Sequence, residues 1–495
     1  MHVRHATHVP VWQQTHESAT NPRMQKNGEH MKPRRRFVPA CILVAAAVSV
    51  ISVAAPSVYP TGTTLYQPDA AWNGYTVLSL LRDPGVVVID MNGHVVKQWS
   101  GFNNSAGGPA RVLPGGQIIA AAGARPGHQE SLQLLQKDFE GNERWSLKGE
   151  EQVELPGGEK TQSLRQHHDW QRADFPAGYY SPAFTPASTG SATLVLTHGA
   201  RQLASISDLP LEDDRLIEYG ADGKMRWSWQ ISDHVDELGL SPAARAAIKA
   251  GAGGGAGPAA LARAGTAPRR EYDWTHINSA TYLGPNRWFD AGDQRFAPDN
   301  VIISSRQASF LVIVARDGHV VWRMGPDFRE SPQLSRIGQI IGQHNAHLIP
   351  KGLPGEGNLL VFDNGGSSGY GFDTPIARNG YGGLARANSR VLEIDPVKLE
   401  LVWSYAPGDA FFATNISGAQ RLVNGNTLIT EGPTGRVFEV TPQKKIVWEY
   451  INPSANGARN AVYRAYRLPY AWMPQLPKPV QQAVAAPPGY GAPTP

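Results

Sequence analysis

The chain of 495 residues is 41% apolar and holds 52 Gly and 39 Pro, the composition of a folded protein rich in turns. Residues 1–54 carry seven Lys/Arg and two Asp/Glu, which leaves 39 basic against 40 acidic residues in the body and no basic surface for nucleic acid. The single cysteine, Cys41, lies in that leader, so disulfides and thiol nucleophiles are excluded from everything after it.

Residues 1–30 are polar, hold five of the fifteen His and read as an over-extended start rather than a metal tract. From Met31 the chain runs MKPRRRFVPACILVAAAVSVISVAA, a basic stretch and then 19 uncharged residues from Phe37 to Ala55. That is the pattern of an export signal, with Ser52-Val53-Ala54 as a small-x-small cleavage site. The stretch is also long enough to stay in a bilayer, so membrane anchoring through residues 37–55 is the second reading. Both place the body in the periplasm or outside the cell.

The body then repeats one unit six times: VVVIDMNGHVVKQW (86–99), LLQKDFEGNERW (134–145), RLIEYGADGKMRW (215–227), FLVIVARDGHVVW (310–322), RVLEIDPVKLELVW (390–403) and RVFEVTPQKKIVW (436–448). Each has two arms that alternate apolar and polar residues, the period of half-buried strands. NG, EG or DG dipeptides in the first four turns supply the positive φ that a tight hairpin needs. Between the hairpins lie further strand pairs, at 107–123, 343–365 and 417–432, with weaker copies near 192–199 and 300–306. Hairpin plus inner pair makes a four-stranded blade, so the expected fold is an all-β, six-bladed β-propeller with antiparallel blades over residues 55–476. The hairpin tryptophans are 46, 82, 95, 81 and 45 residues apart, which puts long loop insertions in the middle blades. One inner pair is missing, and GYTVLSLL (74–81) is expected to pair with VYRAYRLPYAW (462–472), joining the two ends of the chain.

Two segments fall outside this pattern. Residues 241–266 suggest a short Ala-rich helix followed by a Gly hinge, read as a low-complexity insertion. The Pro-rich tail, 477–495, is expected to be disordered.

With no thiol available, the chemistry rests on His, Arg and carboxylates. His168 lies in RQHHDWQR, His276 in DWTHINS, and His344 in QHNAH with His347 three residues on; Arg306 ends VIISSR and Arg436 opens a Trp hairpin. Inner strands line the central channel of a propeller, so these five residues are expected to converge on one mouth of it. Strand alternation would send His344 and His347 to opposite faces. There is no HExxH or dense His/Asp spacing, so the sequence does not point to a metal.

The Trp hairpins together with HHDWQ, DWTHINSATYL, VIISSR, QHNAHLIP, FDNGGSSGYG and SRVLEID resemble the arylsulfotransferase family, from about Tyr75 to Trp472. The resemblance implies an exported six-bladed propeller without cofactor. It would move a sulfuryl group from a phenolic sulfate ester to a second phenol without a nucleotide donor, through a transiently sulfurylated channel His. It aligns His276 and His344 with two channel histidines of the family. The family's Arg meets Ser368, and its nucleophilic His meets Arg436.

The catalytic candidates are therefore His276, His344 and His168, with Arg306, Arg436, Asn278 and Asn364 toward the substrate. Asn278 beside His276, or Asp169 beside His168, could orient a nucleophilic ring. The alternative is a propeller that binds an anion or a partner and has lost the family's nucleophile. A quinone-dependent oxidoreductase is disfavoured by the absence of cysteine from the body.

Overall fold

The computed structural model describes residues 61–486, apart from 82–84, 103–107, 127, 252–270, 373–381 and 454–459. The segment read as an export signal and most of the low-complexity insertion therefore lie outside the described residues. Among the described residues, no helix is long and apolar enough to cross a membrane.

All six Trp hairpins form as antiparallel pairs: Val86–Ile89 with Val95–Trp99, Glu130–Lys137 with Glu143–Leu147, Leu211–Tyr219 with Met225–Gln230, Phe310–Val314 with Val320–Met324, Arg390–Asp395 with Glu400–Tyr405, and Arg436–Val440 with Ile446–Ile451. Each ladder slips by one residue at the same place, next to the turn. In the first four turns Gly93, Gly141, Gly223 and Gly318 take positive φ; the last two use Leu399 and Lys444 there instead. Inner strands extend the hairpins into antiparallel sheets in a propeller-like, all-β arrangement. Tyr75–Leu80 pairs with Val462–Leu468, so the two ends of the chain share a sheet as the sequence implied. Gly62–Tyr66 adds an outer strand to the last hairpin, against Ile446–Ile451.

The repeated tryptophan has a physical cause. Its indole N–H donates to a turn carbonyl of another hairpin: Trp99 to Asp138 (2.9 Å), Trp227 to Arg316 (3.0 Å), Trp322 to Pro396 (2.8 Å), Trp403 to Pro442 (2.9 Å) and Trp448 to Met91 (2.8 Å). The last of these bonds links the sixth hairpin back to the first. Trp145 makes no such bond among the described residues, and at its joint the sheets meet directly through Gln166 and Ser131.

Of the two outlying segments, the insertion opens as the sequence reading has it and the tail differs from that reading. The insertion begins with a helix, Pro242–Lys249, capped by Ser241 Oγ, which accepts from Ala244 N–H. The Pro-rich tail, expected to be disordered, is pinned as far as Val484. Tyr66 and Val484 exchange both backbone hydrogen bonds (2.9 and 3.0 Å), and Tyr75 Oη donates to Pro477 O (2.9 Å). Proline cannot continue a ladder, but it leaves its carbonyls free to accept.

Candidate functional site

Four inner strands start with the same backbone device. His168, His276, Asn345 and the pair Ile416-Ser417 all take positive φ, at 52°, 47°, 54°, 49° and 86°. The ladders of three of these strands slip there, between Gln166 and Trp170, Ile277 and Ser279, and His344 and His347. Positive φ is unfavourable for residues with a Cβ and persists where the surroundings impose it. The extra residue between His344 and His347 also breaks the alternation expected from the sequence, and both side chains are buried.

Buried charge joins the inner strands. Asp169 accepts from Arg111 Nη2 (2.9 Å), Arg464 Nη1 (3.1 Å), Trp170 N–H (3.0 Å) and Ala280 N–H (3.3 Å). Arg464 also donates to Asn278 O at 2.8 Å. Asp169 therefore ties strands of several sheets together instead of orienting His168.

His276 is differently placed. Its Nδ1 lies 2.5 Å from Asp273 Oδ2, while its Nε2 has no protein partner among the described residues, and 13% of the side chain is exposed. A carboxylate on Nδ1 selects the tautomer with its lone pair on Nε2. The His168 ring meets the His276 ring edge to face at 4.6 Å, and Tyr463 Oη donates to His168 O at 2.9 Å. Burial, and then the charge of His276, push His168 well below the usual histidine range. Arg306 follows on the paired strand, its N–H bonded to His276 O at 3.0 Å. Its guanidinium donates to Gln307 Oε1 (2.9 Å) and has no carboxylate within ion-pair distance among the described residues.

His344 is held at both ring nitrogens. Nδ1 bonds Asn364 Oδ1 (2.7 Å) and Gly342 O (3.0 Å), and Nε2 accepts from Ile416 N–H (3.2 Å). Burial and the charge of Arg306 push it well down, so it is neutral. Asn364 spends its amide on Ala413 O and Ile416 O. Asn278 donates to Gln343 O (2.7 Å), and its Oδ1 is buried without a partner among the described residues. Arg436 stands apart: its Nε bonds Glu449 Oε1 (2.6 Å) and its Nη1 bonds Glu431 Oε2 (3.0 Å), both on its own sheet. Contact or field thus links His168, His276, His344 and Arg306, whereas the guanidinium of Arg436 is committed elsewhere.

With this geometry in view, a family model described as Arylsulfotransferase (ASST) matches residues 192–464. The chain belongs to the arylsulfotransferase family. The match takes in His198, His276, Arg306 and His344, and leaves His168 outside it. No curated protein matches this family member. Among solved structures it is similar to a protein of unknown function from Bacteroides caccae, with 9% identity, TM-score 0.41 and coverage of 80% of this chain and 98% of that one. It is also similar to the Dos1 propeller, with 10% identity, TM-score 0.33 and coverage of 80% and 73%. A streptogramin B lyase gives 12% identity, TM-score 0.33 and coverage of 82% and 87%. At such scores these structures carry no inference about chemistry.

Sequence reasoning missed Asp273, the carboxylate that orients His276. The signal was available as a spacing of three residues in DWTH. It also missed His167, His198 and Asp214, whose proximity depends on strands far apart in sequence.

Proposed function

We propose that this chain transfers a sulfuryl group from a phenolic sulfate ester to a second phenol, with His276 as the nucleophile. The observation that carries the reading is the Asp273–His276 pair, whose Nε2 has no protein partner among the described residues, joined through the backbone to Arg306, whose guanidinium has no carboxylate within ion-pair distance among those residues. In this proposal the Nε2 lone pair attacks sulfur, the sulfur–aryl oxygen bond breaks, and the leaving phenolate takes a proton from solvent. The oxygen of the second phenol then attacks the sulfurylated His276, loses its proton, and regenerates the imidazole. Arg306 would neutralise the sulfuryl oxygens as charge builds on them, the kind of electrostatic aid that is often the largest catalytic contribution. His344, Asn364 and Asn278 hold the neighbouring strands in register in this scheme, and His168 packs its ring against that of His276. Arg436 serves its own sheet.

The proposal extends to architecture and location. The chain of indole bonds running from the sixth hairpin back to the first supports a ring of six four-stranded blades over residues 55–476. The Met31–Ala55 segment supports export of the body, with cleavage near Ala55 or retention as an anchor.

Incubation of the purified chain with 4-nitrophenyl sulfate and phenol tests the function. Nitrophenol release matched by phenyl sulfate formation is expected, and absence of both overturns the reading.

A further inference from the structure

The kinked turn that carries His276 is gripped from two sides by groups to which the sulfuryl-transfer scheme gives no part. We propose that Asp214 is a positioning residue for His276, its carboxylate holding the turn in the shape that sets the imidazole on Asp273. The turn runs beside strand Leu211–Tyr219, with Leu211 opposite Tyr272 and Glu212 opposite Asp273 in a short parallel ladder. Where that ladder stops, the next two side chains of the same strand continue the contact. Asp213 Oδ1 accepts from Trp274 Nε1 (2.9 Å), and Asp214 Oδ2 accepts from Thr275 Oγ1 and from Ile277 N–H (2.9 Å). One carboxylate oxygen thus holds the residues on either side of His276.

The backbone needs such a hold. His276 has a φ of 47°, a conformation that a residue with a Cβ keeps only where its surroundings impose it. The carbonyls of the turn are fixed from the other side: Tyr370 Oη donates to Trp274 O (2.7 Å), Ser305 Oγ to Thr275 O (2.6 Å) and Arg306 N–H to His276 O (3.0 Å). Asp214 supplies the complementary acceptor for the donors. Thr275, Ile277 and Asp214 are all fully buried, so donors that lost this oxygen would find no water in its place.

A carboxylate at this depth also needs a compensating charge. Asp214 Oδ1 lies 3.1 Å from His167 Nε2 and 3.7 Å from His198 Nε2. Burial opposes a charge on His198, but Glu212 and Glu130 raise it to about 9, so it is a cation at neutral pH. One oxygen of Asp214 is therefore anchored among imidazoles, and the other is left for the turn. The sequence hides this arrangement, because residues 214 and 275–277 become neighbours only through strand pairing.

The effect on turnover rests on the sulfuryl-transfer reading, whereas the position of the ring is read without substrate. In the wild type, the proton shared by His276 Nδ1 and Asp273 is expected as a far-downfield proton resonance that is absent from His276→Gln. Asp214→Leu keeps the shape of the side chain without either oxygen, and should displace or abolish that resonance. It should also lower kcat per folded molecule by about 10²-fold with little change in KM, the cost of a small misplacement of the reacting group. Asp214→Asn still offers an oxygen to Thr275 and Ile277, and should restore the resonance and most of the lost kcat. A merely structural role would lower the folded fraction and leave both readouts of the folded molecules as they were. A wild type without turnover removes the sulfuryl-transfer reading, and the resonance alone then decides. An unaltered resonance in folded Asp214→Leu overturns the proposal, as does an unaltered kcat where the wild type is active. So does a wild type with no resonance that depends on His276, because the turn then does not set the ring on Asp273. Should Asp214→Leu fail to fold, Thr275→Val removes one of the two donors; a displaced resonance is expected, and an unaltered one overturns the proposal.

Discussion

Asp169 offers a sharp test of how the inner strands are held together. Its carboxylate lies between Arg111 and Arg464, and all three side chains are at most 1% exposed. Replacing it with Asn keeps the shape and removes the charge. Both guanidiniums then stay buried and ionised around a neutral amide, and the new amide N–H2 faces groups that are themselves donors. Breaking one buried ion pair by removing a partner costs about 3–5 kcal/mol. Here one substitution breaks two pairs, so a loss of about 5 kcal/mol in unfolding free energy is expected, at the upper end of that range. Urea unfolding followed by tryptophan fluorescence measures it. Adding Arg464→Met to Asp169→Asn removes one orphaned charge and should recover part of the loss. A change below about 1 kcal/mol in Asp169→Asn would refute the view that this carboxylate fastens the strands, because such values are typical of exposed pairs.

Further expectations concern chemistry, pH and the ring. His276→Ala should abolish nitrophenol release, and Asp273→Asn should cut kcat by roughly 10²–10⁴ with little change in KM, since the amide no longer fixes the tautomer; an unaltered kcat in Asp273→Asn would count against the orienting role. Arg306→Met should lower kcat by about 10²–10³, as loss of one stabilising donor does elsewhere, and full activity would remove Arg306 from the scheme. Burial pushes His347 from 6.5 down to about 4. The folded protein thus resists a proton that the unfolded chain accepts near 6.5. Its contribution leaves stability intact above pH 6.5 and removes about 3 kcal/mol as the pH falls from 6.5 to 4. The corresponding slope should be smaller in His347→Gln, and identical slopes would refute the assignment. Trp322→Phe, which deletes the bond to Pro396 O, should cost about 1 kcal/mol in thermal or urea unfolding beyond the change in buried area.

How far the sequence could be read depended on the range of each interaction. The hairpins were legible because period-two alternation and the NG, EG and DG turns are local, and all six formed. The pairing of residues 74–81 with 462–472 could be inferred because a missing inner pair had to come from the two ends. Contacts that cross between sheets left no local trace. Asp169 was read as an orienter for the adjacent His168, yet the two nearest cations, Arg111 and Arg464, claim it. The orienting carboxylate belongs instead to Asp273, three residues before its histidine. Arg436 looked available in the sequence because Glu431 and Glu449, its partners across the ladder, lie five and thirteen residues away. The left-handed kinks at His168, His276 and Asn345 were also invisible, since no glycine marks them.

The charged floor made by Arg111, Asp169 and Arg464 has a kinetic consequence. In the proposed ring these ion-paired side chains would close one side of the inner strands, and a molecule at the exposed edge of His276 would depart by the way it came. Under the proposed scheme donor and acceptor would share that doorway, and the spent phenol must vacate it before its successor can approach. Two substrates obliged to take turns give parallel double-reciprocal lines, with each reactant inhibiting competitively when it arrives out of order.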